Sequence, residues 1–312
     1  MKINNNVLGF IILVFIMLKG TDCKAQINDS IKFDNGFLYY HEYGSKNLPA
    51  IIVLTGGPGN HYNQLEEMAL KMSSKYRCIL LEQRGTGKSM PTPFDSTTVN
   101  IKLVTKDLKT LMDGLNLKKS IVLGHSWGGM LAMNFAAQYP EYVKHLILIA
   151  PGPHKDAKNG FDVLFANRTH TRSFEEEHRL KLLEKLIELN EADSLDIIES
   201  QKLSRRAYIY ANPLPDSLFL KVNAKRNKKT MALLWNDIKK NFDVSQSLNN
   251  YKGQIDVISG RQDVVGFYSY ELKQDFPNTK LYWINECGHF PMYEQPSEFY
   301  DILYKVLDKK GK

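Results

Sequence analysis

The segment IVLGHSWGG, residues 121–129, decides the fold of this chain. A short apolar and β-branched run precedes Gly-x-Ser-x-Gly, and a helix-forming segment that ends at Pro140 follows it. A strand that turns this sharply into a helix holds the turn residue, Ser126, in a strained conformation, and it needs glycines beside it because a Cβ would collide. The pattern predicts a nucleophile elbow with the Ser126 hydroxyl exposed, and a plain flexible turn is the alternative.

The composition indicates a globular chain with a sizeable core. The sequence has 312 residues, of which 43% are hydrophobic and 24% are charged. This length allows one large α/β domain with an insertion, or two small domains. Three lysines and one aspartate lie in residues 1–25, so the remainder carries +5 of the formal net charge of +7.

The first 25 residues have the pattern of a cleaved secretory signal. A basic start is followed by an unbroken apolar run over residues 7–18 and by the small residues Cys23 and Ala25. Twelve apolar residues are too few for a stable bilayer span, which needs about 20. We therefore predict a signal peptide over residues 1–25, a mature chain that begins at Gln26, and export to the periplasm or the outside medium.

Two other fates of this segment stay open. The apolar run could be retained as a membrane anchor, which its short length disfavours. Lipidation at Cys23 would resemble a bacterial lipoprotein signal, but Asp22 occupies a position where such signals carry a small uncharged residue.

Charge and cysteine usage exclude several kinds of partner. The densest basic run, residues 221–229, has no interleaved aromatic residues and is typical of a solvated face, so no nucleic-acid partner is predicted. Cys78 and Cys287 remain after signal cleavage; Cys78 lies in a strand-like run, which favours a buried free thiol over a disulfide. No Cys/His ligand spacing is present, and we predict no metal and no cofactor.

Short apolar runs alternate with helix-forming segments up to residue 150, the order typical of a parallel sheet wrapped by helices. Asn35-Gly36 between two alternating runs predicts a hairpin ahead of that sheet. Strands are predicted at residues 30–33, 37–43, 50–54, 78–81, 121–123, 145–150, 254–259 and 280–284. Helices are predicted at residues 62–74, 101–115, 130–139, 175–189, 231–242 and 297–309.

The alternation stops after residue 151. Residues 152–250 show helical stretches and no central-strand pattern, and the sheet resumes near residue 254. An all-helical insertion between two strands of an open sheet is expected to lie over the strand ends, where such sheets bind ligands. We predict a core formed by residues 26–151 and 251–312, with a helical lid over residues 152–250.

Three side chains supply the parts of a nucleophilic site. Serine is a poor nucleophile at neutral pH, so Ser126 needs a base, and the base needs a carboxylate that orients it. His289 and Asp263 each follow the end of a predicted strand, at the sheet edge where Ser126 lies. Asp256 is the rival acid, but its position inside a strand points it into the flank of the sheet. We predict Ser126, Asp263 and His289 as the catalytic residues.

The tetrahedral intermediate of such a reaction needs two preorganised donors. The backbone N–H of Trp127, directly after the turn, is the first predicted donor. The backbone N–H of Gly57, in the glycine-rich loop after residues 50–54, is the second. A plain tight turn at Pro58-Gly59 is the alternative for that loop.

With these pieces the sequence resembles the α/β-hydrolase superfamily over essentially the whole mature chain, and within it the proline iminopeptidase-like serine peptidases. The chain order Ser, Asp, His is that of this superfamily. The matching segments are Gly56-Gly57-Pro58-Gly59, Gln83-Arg84-Gly85-x-Gly87-x-Ser89, Gly124-His125-Ser126-Trp127-Gly128-Gly129, Gly260-Arg261-Gln262-Asp263 and Gly288-His289. Thr55 and Glu82 depart from the peptidase pattern, which has His and Asp at those positions.

The resemblance implies a substrate class. It implies release of an N-terminal residue, often proline, from short peptides, with lid carboxylates that hold the free amino group of the substrate. The lid offers candidates by residue type alone: Glu175, Glu176, Glu177, Glu184, Glu188, Glu191 and Glu199.

Three functions remain in view. The first is an exported serine hydrolase that acts through an acyl-enzyme, as an aminopeptidase on short peptides. The second is an esterase or lactonase with the same triad. The third is a non-catalytic ligand-binding protein on the same fold. A small molecule or a short peptide is the predicted partner, and the sequence leaves the oligomeric state open.

Overall fold

The computed structural model describes residues 27–308, so the predicted signal peptide lies outside the described residues. Eight strands form one sheet in the order β1-β2-β4-β3-β5-β6-β7-β8. The strands are β1 Ile27–Phe33, β2 Gly36–Tyr43, β3 Ala50–Leu54, β4 Arg77–Leu81, β5 Ser120–His125, β6 Val143–Ile149, β7 Gln254–Gly260 and β8 Lys280–Ile284. Strands β3 to β8 run parallel to one another, and β2 runs antiparallel to both of its neighbours. The predicted α/β fold with a mostly parallel sheet is confirmed.

Helices follow most strands and cover both faces of the sheet. They are α1 Glu66–Met72, α2 Ile101–Gly114, α3 Trp127–Gln138, α4 Ala157–His170, α5 Phe174–Glu188, α6 Ser194–Arg206, α7 Asp216–Val222, α8 Lys228–Asn241, α9 Gly266–Asp275, α10 Pro291–Glu294 and α11 Pro296–Leu307. Side-chain capping explains several starts: Asn100, for example, accepts a hydrogen bond from the backbone N–H of Leu103.

The core lies in two layers, one on each face of the sheet. Successive side chains of a strand point to opposite faces, so Ile51 and Val53 of β3 belong to one layer and Ile52 and Leu54 to the other. All four side chains are at most 1% exposed. Burial on both faces is why these strands are continuous apolar runs rather than alternating ones.

Five helices, α4 to α8, lie between β6 and β7; this segment is called the helical insertion below. It is anchored to the main body by Leu234 and Ile238 of α8, which are fully buried in the core layer that contains α3. Trp235 packs edge-on against Phe161 of α4, with ring centroids 4.6 Å apart. The division of the chain at residues 151 and 250 stays a prediction.

Both cysteines of the described chain are buried free thiols. Burial raises the pKa of Cys78 to about 12, so this thiol is protonated and unreactive at neutral pH. None of the helices in residues 27–308 combines the length and the apolar character that crossing a bilayer requires.

Candidate active site

Ser126 occupies a strained turn between β5 and α3. Its backbone has φ 55° and ψ −117°, a positive φ that non-glycine residues rarely adopt. The two flanking glycines are needed sterically, because a Cβ on Gly124 would lie 2.2 Å from the carbonyl oxygen of Gly128 and one on Gly128 would lie 2.2 Å from that of Leu54. The sharp strand-to-helix turn predicted from the sequence is therefore present.

Asp263 and His289 meet beyond the carboxyl ends of β7 and β8. Oδ2 of Asp263 lies 2.9 Å from Nδ1 of His289, and Oδ1 accepts a hydrogen bond of 3.0 Å from the backbone N–H of Val265. The side chain of Asp263 is fully buried. Since Nδ1 of the imidazole is engaged by the carboxylate, Nε2 is the nitrogen left for another partner.

Asp256 has a different partner. Its Oδ2 lies 2.7 Å from Nε2 of His145, a residue of the neighbouring strand β6, and its side chain is fully buried. This pair lies within the sheet, as expected for a residue inside a strand, and Asp256 is not joined to His289.

The loop that carries His289 is fixed by a carboxylate that the sequence reasoning missed. Glu294 accepts hydrogen bonds from the backbone N–H groups on both sides of His289, 3.0 Å from Gly288 and 2.9 Å from Phe290. It also accepts one of 2.8 Å from the N–H of Tyr210, in the helical insertion. Burial raises the pKa of Glu294, although these three donors act in the opposite direction. In the sequence, a glutamate before Gln-Pro gives no signal of this role.

The helical insertion also contacts the histidine directly. The backbone N–H of His289 donates to the carbonyl oxygen of Tyr208, at 2.8 Å, and the two rings have centroids 5.3 Å apart. A Cβ on Gly288 would lie 2.4 Å from that same carbonyl oxygen. Glycine before the histidine is therefore required for the insertion to approach this loop.

His125, next to the nucleophile candidate, is a buried structural residue. Its Nε2–H donates to the backbone carbonyl of His289 over 2.9 Å. Complete burial, reinforced by the neighbouring His289, lowers the pKa of His125 to about 3. The ring is therefore neutral at physiological pH and serves to fix the histidine loop.

Gly57 and Trp127, which carry the two predicted donors, line the same cavity as Ser126. Gly57 has φ +47°, and the backbone N–H groups of Gly57 and Trp127 find no acceptor within residues 27–308. The N–H of the preceding Gly56 donates to Oε1 of Gln64 at 2.9 Å, which fixes this loop.

Gln83, the first residue of the Gln83-Arg84-Gly85 motif, links the loop after β3 to the helix after the serine, a role that the motif alone did not indicate. Its Nε2 donates to the carbonyl oxygen of Thr55 at 3.1 Å, and its Oε1 accepts from the indole Nε1–H of Trp127 at 2.8 Å. Thr55 also accepts from Gln83 through its hydroxyl. Glu82 lies 2.8 Å from Nε2 of His41. The two positions that depart from the peptidase pattern thus hold residues with structural partners.

A cavity of about 390 Å³ opens over these groups. Ser126, His289, Gly57 and Trp127 all line it, so the structure brings four of the five predicted site residues to one surface. Asp263 contacts this surface through His289. The Ser126 hydroxyl makes no hydrogen bond to another residue in the described chain, and Ser126 lines the same cavity as His289. The walls are mainly apolar and include Met130, Phe161, Phe165, Met231, Trp235 and Tyr268.

Comparison with known proteins identifies the family. The model of the α/β-hydrolase fold family matches residues 49–296, which is most of the chain. The chain belongs to the α/β-hydrolase fold family. The resemblance found from the sequence motifs is therefore confirmed, and hydrolase chemistry is supported by the family and by its named relatives.

Individual relatives of this α/β hydrolase differ in their named reactions. It is 38% identical over 120 residues to epoxide hydrolase 1 of Caenorhabditis elegans, a match that covers 38% of this chain and 28% of that protein. It is 27% identical to the 2-hydroxy-6-oxo-6-phenylhexa-2,4-dienoate hydrolase of Comamonas testosteroni, covering 88% of this chain and 92% of that one. It is also 27% identical to the proline iminopeptidase of Heyndrickxia coagulans, and this match covers 83% of this chain and 90% of that protein.

The chain spans about a third of the length of the epoxide hydrolases it matches. Among solved structures, the proline iminopeptidase of Mycobacterium smegmatis has a TM-score of 0.69 at 19% identity, and the match covers 90% of this chain and 97% of that one. At an identity this low, the structural similarity shows only that the two proteins share a fold.

The charges around the cavity of this hydrolase are all of one sign. Its lining includes Arg168, Arg205, Arg226 and Lys239, and no aspartate or glutamate of the described chain is among the lining residues. The seven glutamates predicted as candidates by type do not line it. Among them, Glu177 pairs with Arg172 and Glu199 pairs with Arg179.

Proposed function

We propose that this protein is a serine hydrolase in which Ser126 attacks a carbonyl carbon, His289 transfers the proton and Asp263 orients the imidazole. The observation that carries the proposal is the Asp263–His289 hydrogen bond of 2.9 Å beside a strained serine that shares a cavity with the imidazole. An unmade Ser–His hydrogen bond is common in a free enzyme, since such contacts often tighten only when substrate is bound.

The reaction follows from these positions. The Ser126 oxygen forms a bond to the carbonyl carbon while its proton moves to Nε2 of His289. The tetrahedral intermediate then expels the leaving group, which takes the proton from the imidazolium, and an acyl-enzyme remains. Water attacks the acyl-enzyme, gives a proton to His289 and releases the acid; that proton returns to Ser126.

We propose the backbone N–H groups of Gly57 and Trp127 as the oxyanion donors. Both N–H groups lack an acceptor within the described residues, and both residues line the cavity that contains Ser126. A fixed N–H dipole aimed at the developing negative charge stabilises the transition state, and loss of one such donor typically costs about 3–4 kcal/mol.

An ester of a small molecule is the substrate that the cavity supports best. An aminopeptidase needs a negative group that binds the protonated amine of its substrate, and the described lining supplies four positive side chains and no carboxylate. The relatives that match nearly the whole chain do not decide between an ester and a peptide substrate. One is named a 2-hydroxy-6-oxo-6-phenylhexa-2,4-dienoate hydrolase, and the other is named a proline iminopeptidase. The second relative, together with the Gly-Gly-Pro-Gly motif, supports the aminopeptidase as the second candidate.

A panel of aryl esters and aminoacyl arylamides, given to the purified chain from Gln26 onward, tests this function. We expect hydrolysis of the esters and much slower hydrolysis of prolyl arylamide, whether its amine is free or acetylated. Faster turnover of free prolyl arylamide than of any ester would favour the aminopeptidase. Binding without turnover of any compound would favour the non-catalytic ligand-binding protein.

We propose in addition that the protein is exported. The support is the basic, apolar and small-residue order of residues 1–25. Mass determination of the protein made in its native cell is expected to give a chain that begins at Gln26. A retained apolar segment in the membrane fraction would instead indicate an anchor.

A further inference from the structure

Four cationic side chains converge on the cavity from separate parts of the helical insertion. Arg168 comes from α4, Arg205 from α6, Arg226 from the segment before α8 and Lys239 from α8. A chance solvated surface would mix both signs of charge. The cavity lining in the described chain carries one sign only.

None of these four has a carboxylate partner within 4 Å in residues 27–308. The contrast with other arginines of the same chain is clear, since Arg77 pairs with Glu42 at 2.8 Å and Arg84 with Asp107 at 2.5 Å. Arg168 and Arg205 are half-buried, and a cation partly withdrawn from water is normally paired, because leaving it without a partner is unfavourable. The cavity is therefore short of negative charge.

Arg168 is half-buried at the cavity wall. Its Nε is buried and has no hydrogen-bond partner among the described residues. One terminal nitrogen donates to Ser204 Oγ at 3.2 Å, and the guanidinium lies 5.2 Å from the ring centroid of Tyr208, the residue that contacts His289. The cation thus packs against the residue that contacts His289, and its buried Nε–H has no acceptor among the described residues.

Arg226 lies close enough to Arg168 for the two charges to repel. Burial lowers the pKa of Arg226, and the positive charge of Arg168 lowers it further. The residue as a whole is nevertheless solvent-exposed. Both observations fit a side chain on the wall of an open cavity, where solvent reaches its surface while protein surrounds it. A bound anion between the two guanidinium groups would relieve this repulsion.

We propose that the substrate of this hydrolase carries a carboxylate, which these cations bind while its apolar part lies against the aromatic walls of the cavity. Guanidinium groups match a carboxylate with paired N–H donors, and Phe161, Phe165 and Trp235 supply flat apolar surface for a hydrocarbon or aromatic portion. The inference deepens the proposed function and rests on it. It specifies an acidic ester in place of a neutral or amine-bearing one.

Three 4-nitrophenyl esters of matched length test this. They are the monoester of adipic acid, which carries a carboxylate, its neutral methyl ester, and the ester of 6-aminohexanoic acid, which carries an amine. We expect kcat/KM for the carboxylate to exceed that for the neutral ester by about tenfold or more, the usual worth of a hydrogen bond to a charged group. We expect the amine to be the poorest substrate. Raising the salt concentration should narrow the differences.

The variants Arg168→Gln and Arg205→Gln identify the source of the preference. Each variant is expected to bring the carboxylate-to-neutral ratio of kcat/KM toward 1. Arg205→Gln keeps the test possible if Arg168→Gln fails to fold. Arg179→Gln is the matched control. Arg179 lies in the same insertion, and its partner Glu199 is on an exposed surface away from the cavity lining, so the ratio should stay at the wild-type value.

The outcomes separate the two proposals. The carboxylate site would be overturned if the carboxylate-to-neutral ratio of kcat/KM were near or below 1 in the wild type. It would also be overturned if that ratio were unchanged in both Arg168→Gln and Arg205→Gln. If hydrolysis of all three esters still depended on Ser126, the serine mechanism would stand. Undiminished hydrolysis by Ser126→Ala would instead overturn the proposed function itself.

Discussion

The carboxylate of Asp263 is hydrogen-bonded to Nδ1 of His289 at 2.9 Å, while the other buried acid of the same strand region, Asp256, is bonded to His145 at 2.7 Å. One Asp–His pair thus involves an acid within β7 and the other an acid just after it, the two hydrogen bonds differ in length by only 0.2 Å, and only His289 lines the cavity. The difference between the two acids is one of position, and it makes them a matched pair for experiment.

Asp263→Asn is expected to lower kcat about 10³- to 10⁴-fold. The amide no longer selects the imidazole tautomer that has a free Nε2 lone pair, and it cannot stabilise the imidazolium. Asp256→Asn should lower the melting temperature through its pairing with His145, but leave kcat of the folded protein near the wild-type value. Measured kcat on one aryl ester decides the matter. Equal losses in the two variants would contradict the assignment.

Ser126→Ala is expected to reduce kcat by at least about 10³-fold while leaving the fold intact, because the acyl-enzyme cannot form. Ser120→Ala is the matched control. That hydroxyl lies at the other end of β5, is buried and has no hydrogen-bond partner within the described residues, so removing it should cost neither activity nor stability. Steady-state kinetics and thermal melts of both variants test the pair.

The stability of the protein should depend on pH through His125. Its pKa is lowered from 6.5 to about 3 by burial. Between these values the unfolded chain binds a proton that the folded chain excludes, so stability falls as pH falls below about 6.5. From pH 6.5 to pH 5 this single group accounts for up to about 2 kcal/mol of unfolding free energy.

His125→Gln removes the titrating group and keeps an N–H donor for the carbonyl oxygen of His289. Urea unfolding at the two pH values should show a smaller acid destabilisation in this variant than in the wild type. Identical pH dependence in the two proteins would mean that the pKa of His125 is not lowered by folding.

Gly288→Ala should lower both activity and stability. Its Cβ would lie 2.4 Å from the carbonyl oxygen of Tyr208, so the helical insertion and the histidine loop must separate. Overpacking of this kind typically costs about 1–3 kcal/mol. In Gly266→Ala the nearest atoms would lie 3.5 Å away, an ordinary contact, so that variant is the control. If both variants kept wild-type kcat, the contact would have no role in placing His289.

Local sequence signals were sufficient for the serine turn and for the sheet. The turn at Ser126 is determined by residues within two positions of it, and the apolar runs mark the strands whose carboxyl ends carry Asp263 and His289. The fold then brings these ends together, because parallel strands end at the same edge of a sheet. Helix α9, directly after Asp263, was missed, since GFYSYELKQD has no clear apolar face.

The features of the site that depend on tertiary packing could not be predicted from the sequence. The lid glutamates could be identified by residue type, but the sequence does not show which of their side chains would line the cavity, and none of them does. Arg168 and Arg226 are 58 positions apart in the chain, and nothing in the sequence between them indicates that they line the same cavity. Glu294 brackets His289 only because a short helix folds back on the loop.

Labelling with a fluorophosphonate probe, followed by mass mapping of the modified peptide, tests whether Ser126 is the nucleophile. We expect one probe per chain, attached to Ser126, with labelling lost in Ser126→Ala and strongly slowed in Asp263→Asn. A wild-type protein that is folded and remains unlabelled, or one labelled at another residue, would contradict it.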